Sequence, residues 1–199
     1  MKEDSAQAIA SAAAHWVVDS GMEYGQAKRK AARELGRKGG TRAALPSDEA
    51  VEQAVREYVS LYCADTQPAE LAVLRHMALG WMQRLSAYRP HLGGAVWRGT
   101  ATRHSAIFID LYADDAKALH IELLNQGLRF EVQGQGSAGP EEVEAFTLYS
   151  PWPDSPSIQV PVHLMVHPYD RLRGALQPDS AGRSWRGDLR AVLALKDAP

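Results

Sequence analysis

The sequence predicts an α+β chain: an N-terminal helical region over residues 1–89, then a small mixed β-sheet with flanking helices over residues 90–199. Three observations carry this. Apolar residues recur at steps of three and four as far as Tyr88. The helical pattern stops at Arg89-Pro90, because the residue before a proline avoids helical geometry. Beyond it the apolar runs shorten and alternate with a period of two, the mark of strands with one buried face.

Residues 5–20 read as the first helix, capped by Asp4 or Ser5, with Ile9, Ala13, Trp16 and Val17 on one face. Ser20-Gly21 breaks it. Residues 23–36 form a second helix whose apolar face is Tyr24, Ala27, Ala31 and Leu35; Gly36 stops it and Gly39-Gly40 makes a flexible joint. Pro46-Ser47-Asp48-Glu49 starts a third helix, with Ser47 as its cap and acids opposing the helix dipole. It runs to Ala64 on a stripe of Val51, Val55, Tyr58 and Tyr62. Gln67-Pro68 opens a fourth, with Leu71, Leu74, Ala78, Trp81, Leu85 and Tyr88 in register. His91–Val96 reads as a short strand entering a glycine turn, and Ile107–Tyr112 as a strand. Asp114 caps a helix that ends at Gly127. Phe130–Gln133 is a brief strand and Gly134–Pro140 a glycine-rich connector. Residues 142–149 and 158–167 form a hairpin across the loop Ser150–Ser157, with Pro161 pointing to an edge or a bulge. Leu189–Leu195 makes a last short helix.

The 199 residues are 45% hydrophobic and 23% charged, enough to bury a core that offsets chain entropy. A net charge of -2 excludes a chain that binds polyanions through bulk charge. The single Cys63 excludes an internal disulfide and a cysteine zinc cluster. No apolar run reaches the roughly 20 residues of a membrane span, and the opening Met-Lys-Glu-Asp-Ser does not read as a signal peptide. The expectation is a cytoplasmic protein with no membrane partner.

Three groups of residues point to chemistry. Strand alternation places Phe108, Asp110 and Tyr112 on one face, and Pro161, His163, Met165 and His167 on one face of the later strand. If these strands are neighbours, Asp110 and His163 share a polar face. Asp110 would either ligate a metal or pair with an arginine of the loop that holds Arg98, Arg103 and His104; those loop cations suit phosphate. His163 and His167 have a spacing that zinc could use. Separately, Lys28, Lys30, Arg33 and Arg37 give the second helix a basic face that would lie on an RNA or DNA backbone, or remain solvated. A third set, Arg171, Arg173, Arg183, Arg186 and Arg190 with Trp185, would close over a cleft or stay exposed.

Gly94-Ala95-Val96-Trp97-Arg98-Gly99-Thr100-Ala101, followed by Ser105-Ala106-Ile107-Phe108, resembles the signature of the DNA polymerase beta-like nucleotidyltransferases over residues 90–168. A bacterial group with an N-terminal helical extension shares that layout. The resemblance implies a nucleotidyltransferase-like domain. Its turn at Gly93 and Gly94 holds the phosphates of a nucleoside triphosphate, with Arg98, Arg103 and Ser105 beside it. It also implies Mg2+ on strand carboxylates, with Asp110 and His163 as the ligands on offer and Asp110 as the catalytic group.

The sequence departs from the family at the decisive positions. The serine after glycine is Ala95, the strand acids are Ala106 and Phe108, and His163 stands for the third acid. Asp110 lies two residues late, about 6–7 Å along the strand. The reading adopted is a nucleotide-binding fold with weak or lost nucleotidyl transfer. The alternative is a non-catalytic regulatory module that contacts a protein or nucleic acid through the basic helical face. A toxin–antitoxin component is a third.

Overall fold

A computed structural model describes residues 2–39, 45–133 and 144–196. The chain divides into two compact units, one gathering residues up to Leu71 with Thr100–Ser105, the other Ala72–Gly99 with Ala106 onward. The expected connector at Gly134–Pro140 and the Gly40 half of the expected joint lie outside the described residues.

The first unit is helical: α1 (Lys2–Ser20), α2 (Tyr24–Gly39), α3 (Asp48–Tyr62) and the first turn of α4 (Gln67–Arg84). Its core is the periodic stripe. Ile9, Ala13 and Val17 of α1 meet Ala27 and Ala31 of α2 and Val51 and Val55 of α3 in one buried cluster. The alanines allow close helix approach. Ser47 caps α3 as expected, its Oγ accepting from Ala50 N at 3.1 Å. Two details differ. The second helix runs past Gly36 to Gly39, since an isolated glycine weakens a helix without ending it. Tyr62, expected on the stripe, is 71% exposed and lies at a tilt against the Tyr58 ring instead.

The second unit is built on one six-stranded mixed sheet in the order β3-β4-β5-β2-β1-β6. The strands are β1 (His91–Gly93), β2 (Ile107–Tyr112), β3 (Phe130–Gln133), β4 (Glu144–Trp152), β5 (Ser155–His167) and β6 (Gly187–Asp188). Among the described residues only β2 and β5 pair in parallel, with Phe108 beside His163 and Asp110 beside Met165; the other pairs are antiparallel. The helices are α5 (Gly94–Arg98), α6 (Ala116–Asn125) and α7 (Leu189–Lys196), with 3-10 turns at Ser86–Tyr88 and Tyr169–Gly174. Ile107, Ile109 and Leu111 of β2, and Val162 and Leu164 of β5, are fully buried on one sheet face, with Phe146 and Leu148 of β4. His120 of α6 meets Phe146 and Phe130 edge-on there.

The hairpin is longer than its sequence suggests. The expected loop Ser150–Ser157 is mostly strand, tightening to a turn at Pro153-Asp154, with a register irregularity at Pro151/Trp152. Proline rules that argue against strand there are satisfied by that irregularity. Pro161 stands in the interior strand β5, one residue before its ladder with β2 begins. The expected strand His91–Val96 turns helical at Gly94, whose φ of +62° suits glycine. Asp115, not Asp114, caps α6 by accepting from Lys117 N; Asp114 accepts from Tyr169 N.

Candidate functional site

The polar face of β2 and β5 carries the site. Asp110 lies at the middle of the sheet, 9% exposed, with His91 of β1 paired across from it. His167 Nε2 donates to its Oδ1 at 2.8 Å, and Arg186 Nε donates to its Oδ2. Both carboxylate oxygens are thereby engaged. Burial pushes the Asp110 carboxyl up, but the hydrogen bond from His167 and the charge and hydrogen bond of Arg186 outweigh it and hold the group below its ordinary range. Burial alone would lower the Arg186 guanidinium; the Asp110 charge reverses that and raises it. The Tyr112 ring stacks on His167 and meets His91 edge-on, closing the cluster sideways.

Two residues before Asp110 the same face changes character. The Phe108 ring stacks on His163 with centroids 4.7 Å apart, and His163 Nδ1 shares a 2.9 Å hydrogen bond with Thr147 Oγ1. Burial lowers the His163 pKa, favouring the neutral ring. Phe108 also lies against the glycine turn: a Cβ built on Gly94 would stand 3.2 Å from its Cδ2. Gly93 caps α5 from an extended backbone, and a Cβ there would approach the Arg186 side chain at 3.7 Å. Asp110 and His163 therefore share a face, as strand alternation predicted for neighbouring strands, but their partners differ.

Arg98, at the end of α5, is 8% exposed and turned toward residues 179–185. Its Nη2 donates to Asp179 Oδ2 at 2.6 Å, its Nη1 to the carbonyls of Arg183 and Ser184, and its guanidinium lies 4.4 Å from the Trp185 ring centre. Burial raises the Asp179 carboxyl, yet Arg98 and the backbone N–H groups of Arg183 and Ala181 bring it down to about 2. Arg103 and Ser105 belong to the helical unit, where Arg103 N donates to Glu70 Oε2 and Ser105 Oγ accepts from Thr102 N.

On α2, Lys28 Nζ bonds Asp48 at 2.6 Å and the Pro46 carbonyl, which ties α2 to the start of α3. Lys30 Nζ sits 3.2 Å from the Trp16 ring centre. Arg33 is exposed, its Nε donating to the Arg29 carbonyl; the Arg37 side chain lies outside the described residues.

Sequence reasoning grouped Arg186 with other arginines and saw no tie to Asp110, and it gave Asp179 no role. The signal for Asp179 was local: Asp179 followed by Gly182 is an aspartate-led turn, in which its Oδ1 accepts from Ala181 N and Arg183 N. Nothing comparable marks Arg186.

Among the described residues, no three histidines, cysteines or acids converge to hold a metal ion, and no helix is long and apolar enough to cross a membrane. No family model matches the sequence, and no curated protein matches it. Among solved structures, the chain is similar to the Cid1 poly(U) polymerase. It matches a mutant bound to MgATP at 14% identity and TM-score 0.37, and the MgGTP-bound form at 15% and 0.34. Each match covers 57% of this chain and 38% of the polymerase chain, so this chain spans well under half of that protein's length.

Proposed function

We propose that this chain is a nucleotidyltransferase-like, nucleotide-binding module in which nucleotidyl transfer has been lost. One observation carries the reading: the strand position that would hold a metal carboxylate is filled by Phe108, stacked on His163 and laid against Gly94. Asp110, the one acid on that face of β2, spends both oxygens on His167 and Arg186. Magnesium prefers oxygen ligands in near-octahedral geometry. A ring pair of phenylalanine and histidine and a carboxylate already bridged by a guanidinium do not fit a pair of such ions.

In this reading the turn at Gly93 and Gly94 meets the phosphates through its backbone amides, with the Arg186 side chain beside Gly93. Arg98 serves the residue 179–185 segment. Lys28 and Lys30 are held by Asp48 and Trp16, which leaves the exposed Arg29 and Arg33 as the described cations of α2 open to a nucleic-acid or protein partner.

The test is incubation of the purified protein with each labelled nucleoside triphosphate, with and without magnesium, reading transfer and binding in parallel. Binding without transfer is the expected result. Magnesium-dependent transfer that Asp110→Ala abolishes would reverse the reading, and absence of any nucleotide binding would remove it.

A further inference from the structure

Away from the glycine turn, the second unit holds a cleft of about 570 Å³ between the Ser86–Pro90 corner, the 3-10 turn at Tyr169–Gly174 and α7. That volume falls in the range of small-molecule sites. Pro90, Leu172, Leu189 and Leu193 give it an apolar lining, and Leu193 is 39% exposed where a helix facing its own core would hide it.

Two arginines, Arg89 and Arg190, are among the residues that line this cleft. Both are exposed, and neither has a carboxylate partner among the described residues. Arg89 is fixed rather than loose. Its guanidinium rests 4.4 Å from the Tyr169 ring centre. Its backbone has φ +49°, the one positive value among described non-glycine residues, a conformation held only by surrounding structure. Two other polar residues of the cleft make local bonds. Asp188 accepts from Ala191 N at the start of α7, and His91 Nδ1 donates to the Arg89 carbonyl.

An apolar lining beside two arginines that have no carboxylate partner among the described residues selects an amphipathic anion. We propose that this cleft binds a small organic anion with a flat or branched apolar body, its charged group between Arg89 and Arg190 and its body on Leu172, Leu189 and Leu193. The site is separate from the glycine turn and does not rest on the nucleotide reading.

The test uses the full chain and the fluorescent probe 8-anilinonaphthalene-1-sulfonate, displaced in turn by 2-naphthoate, 2-naphthalenemethanol, inorganic phosphate and ATP. The expected result is one saturable probe site that naphthoate empties, with the uncharged alcohol at least about tenfold weaker and phosphate or ATP without effect. Arg190→Gln weakens naphthoate about tenfold and leaves the alcohol unchanged. Leu193→Glu removes probe binding while circular dichroism and the unfolding midpoint stay at the parent values. Unchanged naphthoate affinity in both variants, equal displacement by acid and alcohol, or displacement by ATP would each overturn the proposal. So would sedimentation showing that Leu193→Glu splits a dimer, which would make the cleft a self-association face.

Discussion

Two arginine–aspartate pairs tie the sheet unit's central segment to its C-terminal segment, and they are built in opposite senses. In one, the arginine comes first: Arg98 on α5 reaches Asp179, 81 residues on. In the other, the aspartate comes first: Asp110 on β2 receives Arg186, 76 residues on. The first is closed, with side chains 4% and 1% exposed and backbone donors completing the carboxylate. The second is ajar, at 12% and 36%, and includes a histidine. A closed pair with every lone pair satisfied is an anchor: it fixes a segment and has nothing left to offer a ligand. The pair at Asp110, reached by solvent on the Arg186 side, is held less completely by its surroundings.

The comparison predicts a ranking of effects. Arg98→Ala should give the largest loss, because it strands the Asp179 charge and frees residues 179–185 together. Its drop in urea midpoint should be at least twice that of Asp110→Asn; an equal or smaller drop would make the two pairs alike. Asp110→Asn should lower stability by about 1–2 kcal/mol, discounted for the solvent that reaches Arg186, as read by urea unfolding.

Acid should separate the pairs next. The folded Asp179 carboxyl, at about 2, lies below the ordinary value of 3.8. Its contribution is therefore complete above 3.8 and is lost as pH falls from there toward 2. Asp179→Asn should flatten the stability-against-pH curve across that window, and an unaltered slope would show that the pair carries no linkage. Asp110 is lowered too and adds in the same direction. The smallest effect belongs to Lys28→Ala in the helical unit. Its partner Asp48 is 58% exposed, so a loss of about 0.2–1 kcal/mol is expected by thermal unfolding.

How much of this was legible follows from the range of each interaction. Helical stripes are local, and they put Val51 and Val55 on one face of the third helix, where both are buried. Strand alternation put Asp110 and His163 on one face, which the parallel β2–β5 register bears out. Cap identity at α6 slipped by one residue because Asp114 and Asp115 carry the same local signal; a tertiary bond to Tyr169 N decides between them. The partners of Arg98 and Asp110 were not legible. They come from an irregular segment without periodicity, and charge alone does not say which of several arginines meets which acid. Pro161 misled for a related reason: its tolerance depends on where the neighbouring strand begins, a fact of topology.

Gly187 leaves no room for a side chain, since a Cβ there would overlap the Trp97 ring, itself tethered by Nε1 to the Ser184 carbonyl. The strand it opens is two residues long and gives way at once to α7. That margin of the sheet therefore exposes almost no free ladder to a passing chain. Growth of fibrils by strand addition would find its template on the opposite margin, at β3, and solubility of this protein should respond to changes there far more than to changes at β6.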